Sequence, residues 1–86
     1  MKNVYDVSYE VYRKDARSRS GFWEWDQRIS IVANGDIRAA LRKAERVILS
    51  ERVKPDLDKD SGKVYCYRPA RVSVTKIERV RELSEA

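Results

Sequence analysis

The sequence predicts an α+β domain, an antiparallel sheet of three to four strands with one amphipathic helix packed on one face. Three observations predict it. Two N-terminal segments alternate apolar and polar residues. A helical stripe of apolar residues follows them, and a β-prone run closes the chain. The order is β-β-α-β or β-β-α-β-β.

The first alternating segment is Tyr5, Val7, Tyr9 and Val11, interleaved with Asp6, Ser8 and Glu10. In the second, Trp23, Trp25, Ile29 and Ile31 share one parity and Glu24, Asp26, Arg28 and Ser30 the other. The polar stretch Asp15-Ala16-Arg17-Ser18-Arg19-Ser20-Gly21 separates them as a turn. A long hairpin over residues 4–32 results. A one-residue slip would flip every side chain, so the two apolar sets must meet on one face. That condition pairs Lys14 with Phe22, Arg13 with Trp23, Val11 with Trp25, Val7 with Ile29 and Tyr5 with Ile31.

The helix is expected over about residues 36–52, with Asn34 as N-cap and Asp36 at the positive end of the dipole. Ile37, Ala40, Leu41, Ala44, Val47 and Ile48 recur at helical spacing. Arg38, Arg42 and Arg46 lie four residues apart on the opposite side. Pro55 disfavours helical geometry just before it and sets a limit to the helix. Residues 54–62 read as a polar loop. One or two strands follow over residues 63–77, with Pro69 marking an edge position or a turn between them. Residues 78–86 form a charged tail that frays or adds a helical turn. The expected core is Tyr5, Val7, Tyr9, Val11, Trp25, Ile29, Ile31, Ile37, Leu41, Ala44, Ile48, Val72 and Val74.

With 86 residues the chain has room for a single domain. No apolar run approaches the roughly 20 residues of a membrane helix. Met1 to Asp6 carry no apolar signal core, so a cytoplasmic protein is expected, without a membrane partner. The lone cysteine, Cys66, excludes an internal disulfide and fits a reducing compartment.

The same inventory excludes most chemistry. The chain has no histidine, which removes the commonest general base and metal ligand. Cys66 has no histidine to activate it and sits between Tyr65 and Tyr67, as a small core or edge residue. The glycines at 21, 35 and 62 are too far apart for a phosphate loop. Asp56, Asp58 and Asp60 imitate the start of an EF-hand calcium loop. The match fails at Ser61, where the motif has Gly, and at Tyr67, where it has Glu. These residues read as an ordinary turn. No enzyme, no cofactor and no metal site are expected.

Charge points to binding instead. Lys and Arg number 19 against 14 Asp and Glu, a net charge of +5, and arginine supplies 12 of the 19. Arginine's planar fork suits phosphates and stacks on rings. The expected function is a small nucleic-acid-binding module, for RNA or DNA. Arg13, Arg17, Arg19 and Trp23 form a basic hairpin tip, projecting as an arm past the shorter helix. Arg38, Arg42 and Arg46 form a second patch on the helix. Solubility alone, with a solvated helix face, also accounts for the charge. The alternative is a protein–protein module, such as a homodimer, an inhibitor or an accessory factor of phage type, using hairpin aromatics and an exposed strand edge. The element order, with its closing Val72-x-Val74-x-x-Ile77-x-x-Val80 run, resembles small ribosomal proteins of the LX type and short phage-encoded proteins. That resemblance covers about residues 4–80 as topology and spacing, and no site residue is carried over from it.

Overall fold

The computed structural model describes residues 2–83. Strands β1 (Lys2–Asp15) and β2 (Gly21–Asn34) form the hairpin. Helix α1 (Ile37–Leu49), strand β3 (Lys54–Leu57) and strand β4 (Val64–Leu83) follow. All pairings are antiparallel, and the sheet order is β2-β1-β4-β3. The α+β class and the β-β-α-β-β order are those the sequence predicts.

The odd-numbered residues of β1 face the helix. Tyr5, Val7, Tyr9 and Val11 are all buried, and they meet Ile31 and Ala33 from β2 and Ala40, Ala44 and Ile48 from α1. Ile29, Val72, Val74 and Ile77 close the sides of this core. Each fully buried large side chain contributes about 1.5–3 kcal/mol relative to exposure.

The helix is shorter than expected. Asp36, not Asn34, is the N-cap, and its carboxylate accepts the Ala39 amide at 3.0 Å. Gly35 takes a φ of 91°, which leaves Asn34 in the strand and delays the helix start. The other end stops at Leu49. Ser50 donates its amide to the Arg46 carbonyl and its hydroxyl to the Val47 carbonyl. Thirteen residues make a helix of about 20 Å, against about 46 Å for each 14-residue hairpin strand. The helix thus covers half of the sheet. The molecule is drawn out to 55 × 24 × 17 Å, with a Cα radius of gyration of 15.9 Å. A compact chain of this length would have about 12 Å.

Register departs from expectation at one place in β2. Tyr5 pairs with Ile31, Val7 with Ile29 and Tyr9 with Gln27, as the apolar pattern requires. The register then shifts between Tyr9 and Val11. Val11 pairs with Glu24, Tyr12 with Trp23, Arg13 with Phe22 and Lys14 with Gly21. The pairings of Val11 with Trp25, Arg13 with Trp23 and Lys14 with Phe22 are therefore corrected. The cause is a β-bulge at Trp25 and Asp26, where Asp26 has a φ of 55°. The bulge reverses facing, and Trp25 leaves the core for solvent at 57% exposure. Ile37 is also outside the core, on the first turn of the helix.

The C-terminal half is more regular than expected. The stretch read as a loop over 54–62 contains β3, a short strand on the sheet edge that tolerates Pro55. The turn after it is built on Asp58, which accepts the Asp60 amide at 3.1 Å and the Ser61 hydroxyl at 2.8 Å. Residues 64–83 form one strand of 20 residues, not two. Pro69 does not interrupt it: β3 ends opposite Tyr67, so beyond that point one side of β4 needs no donor. Most of the stretch read as a charged tail, up to Leu83, is strand, and residues 84–86 lie outside the described residues. Three further bulges, at Ala70, Thr75 and Val80, interrupt the pairing of β4 with β1. At the middle one the Thr75 hydroxyl donates to the Ser8 carbonyl at 3.1 Å.

Candidate nucleic-acid interface

Only one face of the sheet carries the helix. On the other face the even-numbered residues of β1 are flanked by side chains of β2 and β4. Near the hairpin turn, Tyr12 lies between Trp23 and Arg71, and Lys14 between Gly21 and Arg68. The Tyr12 and Trp23 rings are tilted at 5.4 Å, and Trp23 and Trp25 stack at 5.5 Å. Three rings thus form one pile on an open sheet surface, with Trp25 at its end. Tyr12 leans across Gly21, where a Cβ would fall 2.2 Å from the Tyr12 hydroxyl. Arg19, from the turn, joins Tyr12, Lys14, Ala70 and Arg71 around a shallow depression of about 440 Å³.

Farther along the same face, Ser8 lies between Arg28 and Lys76. These residues line a second depression of about 400 Å³, together with Asp6, Ser30 and Glu78. Glu10 separates the two regions, opposite the bulge.

The structure brings together part of the sequence-predicted set. Arg19 and Trp23 lie in this region, and Arg17 is exposed on the adjoining turn. Arg13 does not join them. Its side chain is 1% exposed and faces the helix side, where its guanidinium pairs with Glu24 and, at 2.6 Å, with Glu51. Glu51 also lies 3.5 Å from the Tyr9 hydroxyl. Burial and the neighbouring Glu51 carboxylate push the Tyr9 pKa up. Arg13 therefore belongs to a buried ion cluster and is removed from the candidate contacts. The hairpin end is not a free arm either. β4 pairs with β1 as far as Asp15, and Phe22 packs edge-on against Tyr67 at 4.9 Å. The Ser20 and Tyr67 hydroxyls are hydrogen-bonded at 2.8 Å.

Arg38, Arg42 and Arg46 are exposed on the outer side of α1, opposite its buried Ala40, Ala44 and Ile48. They lie across the sheet from the aromatic pile, so the two basic patches do not share one surface. Cys66 is exposed on β4, and its amide donates to the Asp15 carboxylate at 3.1 Å. Among the described residues no group of acidic or cysteine side chains is placed to hold a metal ion, and no helix is long and apolar enough to cross a membrane.

Sequence reasoning missed Tyr12, Lys14, Trp25, Arg68 and Arg71. A hairpin without a bulge turns Trp23 and Trp25 inward, so the alternation alone separates them from Tyr12 and Arg71. No family model matches the chain, and neither a curated protein nor a solved structure matches it.

Proposed function

We propose that the protein is a nucleic-acid-binding module acting through the helix-free face of its sheet, without chemistry of its own. The observation that carries this reading is the pile of Tyr12, Trp23 and Trp25 on an open sheet surface, bordered by Lys14, Arg19, Arg68 and Arg71. Rings of this kind stack on bases, and the flanking cations meet phosphates. Arg17 extends the basic border at the turn. The helix arginines Arg38, Arg42 and Arg46 act as a separate, weaker electrostatic patch.

Fluorescence anisotropy with labelled RNA and DNA, at about 50 and 200 mM salt, tests the reading. Binding is expected to weaken steeply with salt. Trp25→Ala is expected to weaken it by about tenfold, in line with the loss of one base–ring stack. Absence of binding at the lower salt would end the proposal.

A second reading, a dimer formed by strand pairing, has one observation behind it. β2 and the part of β4 beyond Tyr67 are open edges. Bulges interrupt both, and bulges turn an edge away from a straight partner. Arg17→Ala combined with Arg19→Ala separates the two readings, because it removes phosphate contacts and leaves a strand-paired dimer intact.

A further inference from the structure

We infer that the ligand of this face is a single strand, lying along β1, with an unpaired base on Trp25 and its backbone meeting two separate cationic rungs. This inference rests on the nucleic-acid reading above. The rungs are Arg28 with Lys76, and Lys14 with Arg68 and Arg71. Arg28 and Lys76 share their depression with Asp6 and Glu78, and a phosphate there displaces the exposed Glu78 carboxylate, which lies 3.7 Å from Lys76.

Ring access is the first ground. Trp23 contacts both the tilted Tyr12 ring and the stacked Trp25 ring and is 37% exposed, whereas Trp25 has one ring neighbour and is 57% exposed. Bases inside a duplex already stack on both faces. An unpaired base is free to extend the pile.

Width is the second. All four strands lie side by side where Tyr67 pairs with both Asp15 and β3. At about 4.8 Å per strand step, the backbones alone span roughly 14 Å. The major groove is about 12 Å wide and admits a two-stranded ribbon. This end of the molecule is too broad to enter it.

Charge placement is the third. Ser8 and Lys14 are six residues apart, which puts the centres of the two rungs about 20 Å from each other. No single phosphate reaches both. Between them stand Glu10 and Trp25. Glu10 faces Ser73 and the bulge rather than a cation, unlike Asp6 and Glu78 beside Arg28 and Lys76. It therefore repels a phosphate, and the strand presents a base there and its backbone on either side. The Arg28 and Lys76 rung is thereby assigned to the same ligand, although it lies well away from the hairpin turn.

The test uses labelled 12-mers of thymidylate and uridylate, a thymidylate trimer and a 12-base-pair DNA duplex, with the wild-type protein and an Arg28→Ala/Lys76→Ala variant. Both side chains are exposed, and circular dichroism checks that the variant folds. The 12-mers are expected to bind at least tenfold more tightly than the duplex. The double variant is expected to flatten the slope of log affinity against log salt for the 12-mers by about 1.4, two contacts at about 0.7 each. Trimer binding should be unchanged. A duplex bound as tightly as the strand, or an unchanged slope in the folded variant, would overturn the inference and leave nucleic-acid binding standing. If neither strand nor duplex binds at about 50 mM salt, the underlying reading fails too.

Discussion

Asp26 has more influence on the surface than its own side chain accounts for. Its φ of 55° lies in the left-handed region, where Asp is tolerated better than most residues and a β-branched residue is not. The extra residue at this bulge reverses the facing of the strand toward the turn. Glu24 turns inward to Arg13, while Trp23 and Trp25 turn outward. Gln27 supports the arrangement by donating its side-chain amide to the Trp25 carbonyl at 2.9 Å. Asp26→Gly is expected to keep the fold and its stability, because glycine adopts this φ freely. Asp26→Val is expected to cost about 1–2 kcal/mol. Thermal melts check this, with tryptophan emission as the second readout, since a bulge lost to strain would bury Trp23 and shift emission to the blue. Equal stability of the two variants would contradict the role given to the bulge.

At the scale of elements, one buried charge ties three of them together. Arg13 of β1 holds Glu24 of β2 and Glu51 just past the end of α1. Removing the cation leaves two partly exposed carboxylates facing each other without the charge that holds them together. Arg13→Met is expected to cost about 3 kcal/mol in urea unfolding. Adding Glu24→Leu should recover most of that loss, because a well-packed apolar pair replaces a buried ion pair at little cost. A single variant within about 0.5 kcal/mol of wild type would show that the cluster does not hold the helix end. These elements were unequally legible in the sequence. The alternation from Tyr5 to Val11 and the helical spacing of Ala40, Ala44 and Ile48 each have a fixed period, so both were readable. Bulges break the period. In β4 the helix-side residues recur as Tyr67 and Pro69, Val72 and Val74, then Ile77 and Arg79, a five-residue rhythm set by the three bulges. That rhythm was present in the sequence but resembles neither a plain strand nor a helix. β3, with Lys54-Pro55-Asp56-Leu57, has too little apolar character to announce a strand, and only its pairing with β4 makes it one. The same loss of period hid the candidate site, because grouping Tyr12 with Trp23, Trp25 and Arg71 requires the bulge.

Across the whole molecule, the two ends are held by different forces. The helix end is closed by apolar burial among Tyr5, Val7, Ile31, Ala40 and Ala44. The end with the two turns, beyond the reach of the helix, relies more on polar ties. Asp15 is 3% exposed there and binds the Cys66 amide. The Ser18 hydroxyl, and then the Cys66 amide, hold its carboxyl below the ordinary 3.8. Asp58 in the other turn is lowered in the same way, first by the Ser61 hydroxyl and then by the Asp60 amide. A carboxyl whose folded pKa is depressed contributes stability that is complete above its unfolded value. That contribution is lost as pH falls through the folded value. Both groups sit at one end, so acid below about pH 4 should loosen that end first. Amide exchange followed by NMR at pH 6 and pH 3 checks this. With the intrinsic pH dependence of exchange divided out, protection of the Cys66 and Asp60 amides is expected to fall, while Val7 and Ile31 keep theirs. Asp15→Asn at pH 6 should reproduce the loss at Cys66 alone. Uniform loss of protection along the hairpin would mean that the two ends unfold as one unit. The aromatic pile, on the two strands that the hairpin turn joins, would then share the stability of the core rather than that of the polar ties.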